Sequence, residues 1–146
     1  MINPGTFSRI QWPTMETKRI YIGDGFASSD YSGINERNIR HIISLGSRVS
    51  DYETFDGIEY HRIIICDGED ANIIQHLKDC IEFIDKANNA VLIHCQMGIS
   101  RSVSIMIGYL ISKDYDYYTA YNLVKKSRSC ANPNFGFQVQ LMSYNP

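Results

Sequence analysis

Cysteine is scarce and irregularly spaced in this chain. The four cysteines stand at 66, 80, 95 and 130, with no C-x-x-C pair among them, so the closely spaced ligands of a structural zinc site are missing. The opening Met1-Ile2-Asn3-Pro4-Gly5 carries neither the basic nor the apolar block of a signal peptide, which argues against a secreted, disulfide-stapled framework. The expectation is a reducing compartment, cytoplasmic or nuclear. Ile2 stands where N-myristoylation needs a glycine, and no apolar run approaches the ~20 residues of a membrane span. An excess of charge of either sign is also lacking: 14 Lys and Arg face 16 Asp and Glu, for a net charge of −2. That balance offers no broad basic face for nucleic acid or an anionic membrane, while leaving room for a local positive pocket. Repeats, low-complexity tracts and linkers are lacking as well.

What is present is one domain's worth of ordinary globular sequence. The 146 residues are 44% hydrophobic and 21% charged, enough to bury a single core without covalent or metal staples. Residues 1–18, with two prolines and little periodicity, read as an irregular lead-in to a domain over 19–146. Arg19 to Gly23 alternates like a short strand; His41 to Leu45 and the β-branched Ile58 to Ile65 read as two more. From Asn72 to Ala87 the period changes: Ile73, Leu77, Cys80, Ile81 and Ile84 stack on one helical face, and Asn88-Asn89 stops the helix. Ala90-Val91-Leu92-Ile93 is an apolar run of strand length, as found in the middle of a sheet. Helices are expected over Ser102 to Lys113, Tyr117 to Ser127 and Asn134 to Tyr144, the last introduced by Asn132-Pro133. Strands interleaved with helices predict an α/β domain with a mostly parallel central sheet flanked by helices.

The most informative stretch runs from Val91 to Val103. A buried strand passes into a short loop, Cys95-Gln96-Met97-Gly98-Ile99-Ser100, and the loop opens an apolar helix at Arg101-Ser102. Backbone N–H groups of residues 96–101 can converge there on one point, to which the helix N-terminus adds its positive end. A dianionic phosphate suits such a cradle. Arg101 adds a planar fork able to hold two phosphate oxygens, and Gly98 lets the backbone turn. Cys95 faces the same cradle from the strand end, where helix ends and cations favour the thiolate, the nucleophilic form. Attack on phosphorus would give a phosphocysteine, with Arg101 and the loop amides stabilising the equatorial oxygens. Ser102 can hydrogen-bond the sulfur when it leaves. Alone, a cysteine at a buried strand end is usually a small apolar residue. Cys, five residues, Arg, then Ser, between a buried strand and a helix, is a far more specific pattern.

His94-Cys95-Gln96-Met97-Gly98-Ile99-Ser100-Arg101-Ser102 resembles the His-Cys-x-x-Gly-x-x-Arg-Ser signature of protein tyrosine phosphatases, and its Gly-Ile-Ser-Arg-Ser tail the dual-specificity branch. Ile20-Tyr21-Ile22-Gly23 and Arg40 to Leu45 are similar to that family's first two strands. Cys80 to Asp85 is similar to the helix before the signature, and Asn132 to Leu141 to its closing Pro-Asn and Phe-x-x-Gln-Leu segment. The resemblance implies a metal-free, cofactor-free phosphatase acting on phosphotyrosine and phosphoserine or phosphothreonine in proteins, a kinase activation loop among the conceivable substrates by analogy alone. Lipid-directed relatives tend to carry lysines in the signature loop and RNA-directed ones Arg-Thr-Gly, neither of which stands here. A phospho-binding module without catalysis would lack the cysteine, the arginine or the acid.

For the general acid, Asp67 follows the apolar run Ile63-Ile64-Ile65 on a loop at a sheet end and matches the family's acid position. Glu69 and Asp70 are alternatives on the same loop, Asp70 also being placed to cap the helix near Asn72, and a turn role is open to Asp67 itself. His94, adjacent to Cys95 on a strand, should point to the opposite face. The resemblance gives it, and Asn134 in the closing segment, supporting roles. Met97 replaces a small residue usual at the pocket rim. Cys66 stands where the family often has a carboxylate; it is either an ordinary cysteine or a partner for a reversible disulfide with Cys95. Arg128 resembles a structural arginine before the closing loop.

Overall fold

The computed structural model describes residues 2–13, 18–48 and 52–146. Five strands, β1 (Ser8–Arg9), β2 (Ile20–Gly23), β3 (Ile39–Gly46), β4 (Glu59–Ile64) and β5 (Ala90–His94), form one sheet in the order β1-β2-β5-β3-β4. β5 pairs in parallel with β2 and β3, and β3 with β4; only the short β1 runs antiparallel. The α/β reading therefore holds, with β5 at the centre. Among the described residues, six α-helices accompany the sheet: α1 (Gly25–Ser28), α2 (Tyr31–Glu36), α3 (Leu77–Lys86), α4 (Arg101–Ser112), α5 (Tyr117–Ser127) and α6 (Phe135–Met142).

Alternation along β5 sets both cores. Val91 and Ile93 join Ile22, Ile43 and Leu45 against α3 to α6, while Ala90 and Leu92 join Tyr21, Ile34, Ile39 and Ile42 on the opposite face. Each valine, leucine or isoleucine among them, taken fully out of water, contributes about 1.5–3 kcal/mol. α4 is the central helix, buried at every position from Ser102 to Leu110, which accounts for its apolar sequence on all sides. Because Cys95 belongs to the helix-side core and continues the Val91–Ile93 face, His94 lies on the other, as the strand period requires.

Three local features differ from the sequence reading. The helix expected from Asn72 begins as a 3-10 turn over Ile74–His76, and α3 proper starts at Leu77. Asn72, not Asp70, reaches into that turn, its Oδ1 accepting from Gln75 N at 3.2 Å; the N-cap position is Ile73, with no side-chain capping bond. α1 and α2 were not foreseen, being too short for a periodic signal; Asp24 and Asp30 cap them, accepting from Ala27 N and Gly33 N. Within residues 2–13, read as lead-in, β1 pairs with β2, while Ile10 and Trp12 enter the helix-side core, the indole edge-on to Tyr109 of α4 at 6.3 Å.

Candidate active site

β5 delivers Cys95 to the point where the chain leaves the sheet, and residues 95–100 wrap back over that point before α4 begins. The Cys95 thiol is almost wholly buried, and its Sγ lies 3.2 Å from Ser102 Oγ in the first turn of α4. When the sulfur is a thiolate, only Ser102 can donate in that contact. Ser100 occupies the N-cap position of α4 without capping it through its side chain. Its Oγ accepts instead from Asn134 N at 2.9 Å, so the first amides of α4 remain directed at the loop's interior, where an anion is favoured.

Gly98 holds the tightest point of the turn, at φ +67°. A Cβ there would lie 2.5 Å from Arg128 Nη2 and 2.7 Å from the Gly23 carbonyl oxygen, so both backbone conformation and space require glycine. Behind it stands Arg128, fully buried in the mouth of the sheet. Its Nε donates to Gly98 O at 2.7 Å, and its Nη1 donates to Ser8 Oγ at 2.9 Å, Thr6 O at 3.3 Å and Ile22 O at 3.5 Å. One guanidinium thus ties the loop to β1 and β2. Two main-chain bonds complete the frame: Gly25 N to Gln96 O at 3.0 Å and Asn132 N to Ile99 O at 2.8 Å.

His94 supports the loop from the opposite face. Its Nε2 is 2.7 Å from Ser44 Oγ, and its Nδ1 is 3.4 Å from the Cys95 carbonyl oxygen, which can only accept. The neutral ring therefore carries its proton on Nδ1 and receives the Ser44 hydroxyl proton at Nε2. Burial keeps it neutral by pushing its pKa down to about 4, against smaller opposing effects of the Cys95 carbonyl and Asp24. Tyr52 closes over this ring edge-on at 4.5 Å and donates its hydroxyl to Leu45 O at 2.8 Å.

On the open side, Arg101 Nη1 donates to Ile65 O at 3.0 Å, at the end of β4. Its Nε is buried and, among the described residues, unpartnered. A recess lined by Ser47, Arg48, Tyr52, Gln96 and Arg101 opens beside it. Asp67 follows on the exposed loop after β4 and accepts from Asn134 Nδ2 at 2.9 Å, while Asn134 Oδ1 caps α6 through Phe137 N at 2.9 Å. Asn134 therefore touches the 95–100 loop, the acid candidate and α6 at once. The backbone of α6 presses on the same acidic loop, since a Cβ on Gly136 would collide with the Glu69 carbonyl. Asp70 instead lines a groove with Asn72, Ile74, Gln140 and Tyr144.

The arrangement brings Cys95, Gln96, Met97, Gly98, Ile99, Ser100, Arg101 and Ser102 into one loop and helix turn, with His94 and Asn134 bracing it. Cys66 is exposed and Cys80 buried, its thiol pushed up to about 12, mainly by burial. Ser44, Tyr52 and the Ser100–Asn134 bond were missed in the sequence, for their partners lie far along the chain.

The family model described as the dual specificity phosphatase catalytic domain matches residues 20–146. "Dual specificity protein phosphatase 22" of Xenopus tropicalis is 35% identical over 86% of this chain and 61% of its own length, so the chain spans less than two thirds of that relative. Among solved structures, that of DUSP15 is 31% identical with a TM-score of 0.80, covering 84% of this chain and 80% of that one. The human tyrosine phosphatase-like serine/threonine/tyrosine-interacting protein is 30% identical with a TM-score of 0.81, covering 86% and 89%. Cys95 at the end of β5 beneath the loop that opens α4, together with this match and these relatives, places the chain in the dual specificity phosphatase family, whose catalytic domain it carries.

Proposed function

We propose that the protein hydrolyses phosphotyrosine and phosphoserine or phosphothreonine in protein substrates, kinases among the candidates, through a phosphocysteine intermediate. The observation that carries this reading is the Cys95 Sγ–Ser102 Oγ contact of 3.2 Å at the floor of the loop that Arg101 borders. The Cys95 thiolate attacks phosphorus; the S–P bond forms and the P–O bond to the substrate breaks. Asp67, as the carboxylic acid, gives its proton to the departing oxygen. In the second step the Asp67 carboxylate takes a proton from water as that water attacks phosphorus. The S–P bond then breaks, Ser102 donates a hydrogen bond to the returning thiolate, and inorganic phosphate leaves. Arg101 and the amides of residues 96–101 hold the three equatorial oxygens throughout.

Asp67 is preferred over Glu69 and Asp70 because Asn134 links it to the loop's frame, whereas Asp70 lines a groove along α6. A cytoplasmic or nuclear setting is part of the same reading, since all four cysteines are free. The test is hydrolysis of matched phosphotyrosine and phosphothreonine peptides, without added metal and with vanadate as inhibitor. Vanadate-sensitive turnover of both is expected. Turnover of neither would replace this reading with a non-protein phosphate substrate or a phospho-binding role.

A further inference from the structure

Of the eight large apolar side chains that remain exposed among the described residues, three stand on segments that touch this loop. Phe26 is 68% exposed, Met97 63% and Phe135 67%. A single exposed apolar residue is ordinary; three on segments that all touch one loop are not scattered. Met97 belongs to the loop itself. Phe26 follows Gly25, whose N–H donates to Gln96 O at 3.0 Å. Phe135 follows Asn134, whose N–H donates to Ser100 Oγ and whose side chain holds Asp67. Val139 and Met142, also exposed, continue from Phe135 at helical spacing along one stripe of α6. Phe137 and Leu141 already supply that helix's core contacts, so folding does not need the stripe.

We infer that Phe26, Met97 and Phe135 form an apolar collar that receives large apolar side chains immediately flanking the phosphoresidue of a polypeptide substrate. This deepens the proposed phosphatase reading and rests on it. The occupant follows from covalent continuity: a phosphoresidue reaching Cys95 brings its chain neighbours, one Cα every ~3.8 Å, down onto the loop's rim. On this rim those neighbours meet aromatic and thioether surface at Phe26, Met97 and Phe135, beside the charged Arg48, Arg101 and Asp67. A bilayer is the poorer occupant, because the chain's net charge of −2 gives no attraction to anionic lipid.

The experiment compares two phosphotyrosine peptides that differ only in the two residues on either side, leucine and phenylalanine in one and serine and threonine in the other. The wild type should turn over the apolar peptide about tenfold more efficiently in kcat/KM, as burial of one or two apolar groups permits. The double variant F26S/F135S should lose most of that preference while hydrolysing a small aryl phosphate, which has no flanks, at the wild-type rate. The same peptides are also titrated against Cys95→Ser, where binding is read without turnover. Equal handling of both peptides, or a preference the double variant keeps, overturns the collar and leaves the phosphatase reading intact. Absence of aryl phosphate turnover in the wild type defeats the phosphatase reading instead; the binding titration then still decides the collar. Sedimentation with phosphatidylcholine–phosphatidylserine vesicles that the double variant abolishes, without any peptide preference, would assign the surface to membrane and overturn the inference.

Discussion

The loop between β5 and α4 has a back and a front, and they are satisfied to different degrees. At the back, Arg128 meets four acceptors, His94 uses both ring nitrogens, and Ser100 holds Asn134. At the front, Arg101 spends one nitrogen on Ile65 O and leaves Nε unpartnered among the described residues, while Cys95 has Ser102 beside it. A buried polar group left unpaired carries a penalty of about 1–3 kcal/mol, so folding alone does not favour the front arrangement. The difference separates two sides of one loop: bonds behind it fix its shape, and the groups before it are those that the proposed reaction assigns to a phosphoryl group.

Substitutions on the two sides should therefore fail in different ways. Cys95→Ser at the front is expected to lower kcat by on the order of 10⁴ or more, with phosphopeptide binding retained and the denaturant midpoint little changed; retained turnover would remove Cys95 as nucleophile. Asp67→Asn should lower the rate by about 10²–10⁴, most for alkyl phosphates whose leaving groups need the proton. Were Asp70→Asn to do this while Asp67→Asn did not, the acid assignment would move along the loop. At the back, Arg128→Met should reduce stability by about 3 kcal/mol or more, since carbonyls of three segments lose a charged donor. Urea unfolding measures it, and an unchanged midpoint would break the comparison. His94 offers a test by pH. Its ring is neutral when folded, with a pKa near 4, against ~6.5 when unfolded. The unfolded chain therefore binds the extra proton between those values, and stability should fall by up to about 3 kcal/mol as pH drops from 6.5 to 4. Above pH 6.5 this contribution is fully present. The smallest effect expected is that of Ser44→Ala, about 1–2 kcal/mol for the lost hydroxyl proton at Nε2, and it should exceed that of a serine-to-alanine change on the protein surface.

The same division explains what could be read from the sequence. The front is local: Cys95, Gly98, Arg101 and Ser102 lie within one strand-loop-helix passage, where spacing alone implies their geometry. β5 and α4 were legible because their apolar runs match their lengths and burial. The back is assembled from distant chain segments. Ser8 meets Arg128 across 120 residues and Ser44 meets His94 across 50, and neither pairing leaves a periodic trace. The proposed acid lies between these cases: three carboxylates share one loop, and what sets Asp67 apart is a hydrogen bond from Asn134, 67 positions away. α1 and α2 escaped notice because four and six residues make too short a window for periodicity, although their aspartate caps were in plain view.

The placement of Trp12 has a practical side. It is the chain's one tryptophan, and it sits 7% exposed against Tyr109, in the segment that Arg128 fastens to the 95–100 loop through Thr6 and Ser8. Its fluorescence is thus an intrinsic reporter of whether that segment is docked, independent of the circular dichroism of the helices. If the emission shifts toward that of a solvated indole before the helical signal is lost, the segment undocks ahead of the rest of the domain; coincident transitions would mean that both leave in one cooperative step.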